Sequence, residues 1–170
     1  MALFMNIVLI GYRGAGKSAV GRRLAARLGR KLVSTDAEIV KRAHRTIPEI
    51  VAQEGWEYFR DVESDICQEL ADSDELVIDT GGGAILRTQN VEALKKNGTV
   101  FWLKASVEAI TKRIGGDNQR PSLTGAKSFI DEIQDVLRER TPKYQAAANH
   151  VIETDDRSIN QIVETVLTLI

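Results

Sequence analysis

Apolar residues along the chain follow two alternating patterns. Short apolar runs, typical of parallel strands covered on both faces, lie at 6–10, 31–34, 76–78, 99–103 and 151–153. Between them, helical spacing of apolar residues predicts helices over 18–28, 36–42, 47–53, 57–71, 90–96, 128–140 and 158–167, with one more after Ser106. Pro142 should end or kink the helix before it. The alternation predicts an α/β fold of three layers, α/β/α, around a central, mostly parallel sheet of five strands.

Composition fits a single domain over residues 1–170. Of the 170 residues, 43% are apolar, enough to bury a core without disulfides or metals. A formal charge of −1 and a pI near 6.2 provide no basic field, so neither nucleic acid nor a membrane surface is an expected partner. Cys67 is the only cysteine, which excludes an internal disulfide and fits a reducing compartment. The apolar start lacks a basic segment and no run has membrane-spanning length, so we expect a cytoplasmic monomer.

The first apolar run leads into a glycine-rich turn, GYRGAGKS. Gly11, Gly16, Lys17 and Ser18 match the pattern G-x-x-x-x-G-K-[ST], with a strand before it and a helix after it. Glycines let backbone N–H groups curve around an anion, and the helix N-terminus adds partial positive charge. Lys17 can then reach the β- and γ-phosphates of a nucleotide, and the Ser18 hydroxyl can bind a Mg²⁺ that bridges them. The alternative is a chance glycine turn beside an exposed lysine. The candidate nucleotide site comprises Gly14, Ala15, Gly16, Lys17, Ser18 and Ala19.

Further candidate residues should lie at the carboxyl ends of the strands, where ligands of parallel α/β sheets bind. Asp36 follows the second strand, and three glycines at 81–83 follow the third. Arg60 lies beside the apolar stripe of its helix, and Arg140 stands where the next apolar residue of its helix is due. An inward-facing arginine needs an anion. That anion is either a ligand carboxylate or a glutamate of the same helix, and spacing alone does not decide between them.

The order of these motifs resembles that of the shikimate kinases. GYRGAGKS is followed by STDAEI, EGWEYFRDVE, TGGGA, RPSLTG and RTPKYQAAA, in the family's order and at close to its spacing, almost from end to end. The resemblance implies a P-loop kinase fold with a mobile lid over about 114–126. It also implies transfer of the γ-phosphate of Mg·ATP to the 3-hydroxyl of shikimate, on the route to aromatic amino acids. ATP and shikimate would be the small-molecule partners and Mg²⁺ the metal.

The resemblance assigns roles at the acceptor side of the site. Asp36 would bind ring hydroxyls and is the candidate base. Arg60 and Arg140 would hold the carboxylate of shikimate, and Glu63 would orient the two arginines. The full substrate-binding set is Asp36, Arg60, Gly82, Gly83 and Arg140, in which the glycines offer backbone donors.

On the nucleotide side, the resemblance assigns three arginines. Arg120 lies in 115–122, which has glycines and no large apolar residue and is expected to be a mobile loop. It resembles the lid arginine that reaches the phosphates on closure; without the motif around it, it would be a solvated loop arginine. Arg113 would stack on adenine, and the turn that begins at Arg157 would form the opposite wall. The predicted catalytic set is Lys17, Asp36 and Arg120.

Four positions depart from the family pattern. The family usually has two aspartates after the second strand, the first helping to hold magnesium through water, and here that first position is Ser34. Asp79 stands where the family tends to have a neutral residue, at the end of the third strand. One hypothesis is that Asp79 takes over the part of the outer magnesium shell vacated at Ser34, so that Ser18 and Asp79 form the metal set; the other is that Asp79 caps the glycine turn. Trp56 replaces a glutamate and Val51 an aromatic residue, changes that could reshape substrate binding.

Two other functions stay open. A kinase of another small acid, such as gluconate, would share the fold and a carboxylate-bearing substrate, although TGGG and RTPKY favour shikimate. A non-catalytic binding module of the same family would be supported only by Ser34, since every other matched position keeps a chemically competent residue.

Overall fold

A computed structural model describes residues 5–115 and 128–170. Within these ranges one sheet contains β1 (Asn6–Ile10), β2 (Lys31–Ser34), β3 (Leu76–Asp79), β4 (Gly98–Lys104) and β5 (His150–Glu153). The strand order is β2-β3-β1-β4-β5, and every neighbouring pair is parallel. The predicted α/β class with a five-stranded parallel sheet is therefore confirmed.

Helices cover both faces of this sheet. The described ranges contain α1 (Lys17–Leu28), α2 (Thr35–Ala43), α3 (Ile47–Ala71), α4 (Thr88–Lys96), α5 (Val107–Ile114), α6 (Phe129–Ala147) and α7 (Ile159–Leu167). α1 and α7 pack on one face, and α3, α4 and α6 on the other. β1 lies at the centre, with Ile7 and Leu9 in one layer of core and Val8 and Ile10 in the other. Burial on both faces explains why its sequence shows no polar alternation.

Two helix boundaries differ from the predictions. α6 continues through Pro142 to Ala147, so the predicted end at residue 140 is wrong. Tyr144 and Ala147 are buried against the sheet, and their packing outweighs the hydrogen bond that proline removes. The two helices predicted over 47–53 and 57–71 are present, separated by a kink at Gly55, where φ is 85° and ψ is 171°; the difference is that they run on from each other as α3. A glycine suits this position because residues with a β-carbon rarely adopt positive φ.

The carboxyl ends of the strands all lie at one edge of the sheet, since the strands are parallel. Two of the candidate glycine segments, after β1 and after β3, are therefore neighbours, as the pairing of Leu9 with Asp79 shows. The predicted lid over about 114–126, with Arg120, lies almost wholly outside the described residues. Among the described helices, none is long and apolar enough to cross a membrane.

Candidate active site

The loop between β1 and α1 borders a cavity of about 400 Å³. Gly11, Gly14 and Gly16 have φ values of 148°, 80° and 98°, which let the backbone curl before α1 begins at Lys17. Space is also limited, because a β-carbon on Gly14 would lie 2.5 Å from Cγ2 of Ile114. The loop thus has the tight turn and the following helix N-terminus that an anion site needs.

This cavity brings together residues that the sequence assigned separately. Its lining includes Gly14, Gly16, Lys17, Ser18, Ala19, Asp36, Asp79 and Arg113. The side chain of Ala15 is buried in the core beneath the loop, so Ala15 can contact a ligand only through its backbone. The buried ammonium of Lys17 donates to the carbonyl oxygens of Gly11 at 2.7 Å and Tyr12 at 3.0 Å. A cation is therefore held against the loop that would receive the phosphates.

Three oxygen-bearing side chains meet where β2 and β3 end. The Ser18 hydroxyl donates to Oδ2 of Asp79 at 2.6 Å, and the Asp79 residue is only 7% exposed. Ser34 pairs with Asp79 across the sheet, and its hydroxyl accepts a hydrogen bond from Ala37 N at 3.2 Å as the N-cap of α2. Hydroxyl and carboxylate oxygens are ligands that Mg²⁺ prefers, so this donor set fits the metal. The turn after Asp79 is held by another group, because Gly81 N donates to the Thr35 hydroxyl.

The three glycines after β3 lie against charged side chains. A β-carbon on Gly81 would lie 2.7 Å from Oε1 of Glu63 and 2.8 Å from Oδ1 of Asp36. On Gly82 it would lie 3.6 Å from Nη1 of Arg140, and on Gly83 it would overlap the guanidinium of Arg60. The missing side chains thus make room for two carboxylates at one end of the turn and two guanidiniums along it. The structure brings Asp36, Arg60 and Arg140, which the sequence analysis selected separately, together around the triple glycine.

The two arginines share one buried carboxylate. Glu63 is completely buried and accepts a hydrogen bond from Arg60 at 2.7 Å. Burial raises the pKa of Glu63, while the charge and hydrogen bond of Arg60 and the charge of Arg140 oppose that rise. The ion pair expected as an alternative role for Arg60 therefore exists. Asp36 adds a second carboxylate at Gly81, whereas the guanidinium of Arg60 lies at Gly83, so a carboxylate-bearing ligand would be received at the guanidinium end of the turn.

Neighbouring aromatic residues fix the position of Arg60. Its guanidinium carbon lies 5.4 Å from the ring centre of Trp56 and 5.1 Å from that of Phe59. Trp56, Arg60 and Arg140 line a second cavity of about 420 Å³. The departure at Trp56 thus places an aromatic wall beside Arg60 and Arg140.

Tyr144 was missed by the sequence analysis. Its buried hydroxyl donates to the carbonyl oxygen of Gly82, and burial raises its pKa to about 12, so it stays a donor at neutral pH. The available signal was its spacing, four residues after Arg140 and hence on the same face of α6.

Arg113 and Arg157 differ in how their side chains lie. Arg113 donates to the carbonyl oxygen of Gly14 at 3.1 Å and borders both the loop cavity and an adjoining one lined by Ser106 and Asp155. Arg157 follows β5, but its guanidinium donates to backbone and hydroxyl oxygens of α7 residues, including Gln161 at 3.2 Å. Its side chain is therefore engaged with α7, which leaves the backbone of the turn for the predicted wall of the nucleotide site.

These features define the class of the protein. A phosphate-binding loop opens at the carboxyl edge of a five-stranded parallel sheet, and a separate pocket for an acid lies against the same edge. Such a chain is a P-loop kinase, a transferase that uses ATP.

Comparison with known proteins identifies the family. The family model described as shikimate kinase matches residues 13–170. A shikimate kinase of Nitratidesulfovibrio vulgaris is 44% identical over 97% of this chain and 95% of its own, and one of Pelotomaculum thermopropionicum is 42% identical over 95% and 93%. The structure of the Acinetobacter baumannii shikimate kinase in complex with shikimate matches with a TM-score of 0.92 and 38% identity, over 97% of this chain and 92% of that one. The chain belongs to the shikimate kinase family.

Proposed function

We propose that this chain transfers the γ-phosphate of Mg·ATP to the 3-hydroxyl of shikimate, releasing 3-phosphoshikimate and ADP. The observation that carries the proposal is the order of groups along the triple glycine. Asp36 lies at Gly81 and also lines the phosphate loop cavity, and the guanidiniums follow along the turn. A ring that carries hydroxyls at one end and a carboxylate at the other fits this order. The matched structure that holds shikimate supports the choice of acid.

At the acid end, Arg60 and Arg140 bind the substrate carboxylate. Planar guanidinium groups form paired hydrogen bonds to a carboxylate, which lysines cannot reproduce. Glu63 and the two aromatic neighbours restrict Arg60 before substrate arrives, so less conformational entropy is lost on binding. Backbone N–H groups of Gly82 and Gly83 add donors to the same ligand.

At the reacting end, Asp36 orients the attacking hydroxyl. In a loose phosphoryl-transfer transition state the nucleophile needs positioning more than early deprotonation, and the carboxylate accepts the proton late in the step. Asp36 lines the loop cavity and also lies beside Gly81, so its carboxylate can both orient the hydroxyl and accept its proton.

On the nucleotide side, the loop from Gly14 to Ala19 cradles the phosphates and Lys17 neutralises them. Ser18 and Asp79 would hold Mg²⁺, which when bound would supply positive charge to the phosphates. The hydrogen bond between Ser18 and Asp79 supports this pairing over a turn-capping role for Asp79. Asp79 thereby supplies a carboxylate next to the position held by Ser34.

The nucleoside and lid contacts complete the proposal. Arg113 contacts the nucleoside, and the backbone of the turn at Arg157 lies on the other side of it. Arg120 approaches the phosphates and excludes water when the lid closes. Because every group in this scheme comes from one chain, we propose that the enzyme acts as a monomer. The buried free thiol of Cys67 is compatible with the reducing cytoplasm.

A coupled assay of ADP release tests the function. With Mg·ATP, we expect saturation by shikimate and little turnover with quinate or gluconate. The Asp36→Asn variant should lose about 100-fold or more in kcat with an unchanged thermal unfolding midpoint. Saturation by gluconate alone would instead favour the other acid kinase. Nucleotide binding without phosphoshikimate would establish the non-catalytic module.

A further inference from the structure

We propose that Arg13 is a further catalytic residue, one that binds the phosphoryl group as it moves from nucleotide to acceptor. The inference rests on the proposed kinase function. Arg13 is the third residue of the glycine-rich loop, and its side chain lines the loop cavity together with Lys17, Asp36 and Asp79.

The guanidinium of Arg13 is arranged to receive an anion. Its Nε atom is buried and has no hydrogen-bond partner among the residues that the structure describes. Leaving a buried charged donor without a partner costs free energy, which a bound anion would recover. Arg113 borders the same cavity but donates to the carbonyl of Gly14, so its guanidinium is already partly engaged.

Arg13 also lies where the donor and acceptor sides meet. Its backbone N is 3.4 Å from the point where a β-carbon of Gly82 would lie, and the carbonyl oxygen of Gly11 is 3.5 Å from that point. Nη1 of Arg140 lies 3.6 Å from it on the acid side. The phosphate loop and the glycine turn therefore touch at the backbone of Arg13, and the same residue lines the loop cavity.

This location suits the chemistry of transfer. In a loose transition state, negative charge spreads over the three equatorial oxygens of the moving group. A guanidinium can bind two of those oxygens at once, whereas the Lys17 ammonium acts as a point charge. Arg13 would thus stabilise the γ-phosphate moderately in the ground state and more strongly during transfer, with no bond to the adenosine or to the β-phosphate.

The test compares Arg13→Met and Arg13→Lys with a matched control, Arg23→Met, which removes an exposed charge from α1 outside the cavity. Binding of ADP and of the non-hydrolysable ATP analogue AMPPNP is measured by calorimetry with Mg²⁺, and turnover by the coupled assay. For Arg13→Met we expect kcat to fall about 100-fold, as for loss of one transition-state donor. AMPPNP affinity should fall about 10-fold, with ADP affinity and the KM for shikimate nearly unchanged.

Compared with Arg13→Met, Arg13→Lys should recover much of the AMPPNP affinity but only part of kcat. Lysine keeps the positive charge but cannot form the two parallel hydrogen bonds of a guanidinium. The control should behave as the parent. Equal losses of ADP and AMPPNP affinity, or an unchanged kcat, would overturn the proposal. The binding arm is informative even if the parent does not phosphorylate shikimate, so failure of the proposed function would be recognised separately.

Discussion

Replacing Gly83 with alanine should weaken acid binding without disturbing the backbone. Gly83 has φ −103° and ψ 8°, which alanine tolerates. The added β-carbon, however, would lie 2.5 Å from Cζ and 2.6 Å from Nη1 of Arg60. The guanidinium would have to move because the β-carbon is fixed to the turn.

The size of the effect follows from that displacement. Restoring an ordinary contact requires a shift of about 1 Å, and misplacing a binding group by that distance can cost about 100-fold. Loss of one hydrogen bond to a charged group, about 1.5–3 kcal/mol, corresponds to roughly 10- to 150-fold in affinity. From the free energy of that hydrogen bond, we expect the KM for shikimate to rise roughly 10- to 150-fold. The KM for ATP should stay near that of the parent.

The assay is coupled ADP release at varied shikimate and fixed saturating ATP, with thermal unfolding to confirm the fold. Gly82→Ala is the matched control, because the nearest atoms to its β-carbon lie at 3.4–3.6 Å, in ordinary contact. Its KM for shikimate should change only slightly. An unchanged KM in Gly83→Ala, or an equal rise in both variants, would refute the idea that Arg60 is positioned by the space that Gly83 leaves.

Three further predictions concern charge and burial. Asp79→Asn should raise the Mg²⁺ concentration needed for half-maximal rate about 10-fold, since the proposed magnesium site would lose a negative charge; an unaltered Mg²⁺ dependence would remove Asp79 from that site. Burial raises the pKa of Glu63, so the folded state binds its proton more tightly, and the stability this contributes should decline as pH rises from about 4.5 through the folded pKa. Glu63→Gln should flatten that part of the unfolding curve against pH, and an identical slope would contradict the assignment. Burial raises the pKa of Cys67 to about 12, so a thiol reagent at pH 8 should react only as the protein unfolds; rapid reaction in the native state would contradict its burial.

The sequence predicted features that depend on local pattern. β1 was recognised because burial on both faces leaves an unbroken apolar run, and the phosphate loop because its glycines are required by backbone shape. Asp36 could be placed at the ligand edge from the strand before it, since parallel strands end at a common edge. These inferences need only neighbouring residues and the rules of strand pairing.

Features that depend on tertiary contacts could not be predicted from the sequence. The passage of α6 through Pro142 is decided by burial of Tyr144 and Ala147 against the sheet, which no local propensity reports. The hydrogen bonds from the guanidinium of Arg157 to α7 could likewise not be read from the sequence. Arg13 drew no attention because arginine is not required at a variable position of the loop pattern; its buried Nε becomes visible only in three dimensions.

The account depends most on direct transfer between two ligands that meet at the triple glycine. Phosphorus NMR of the protein with Mg·ATP and shikimate measures that transfer without a coupling enzyme. We predict that the γ-phosphate signal of ATP disappears while ADP and one new phosphomonoester signal grow in equal amounts. Release of the γ-phosphate as inorganic phosphate, with no phosphomonoester formed, would contradict the account.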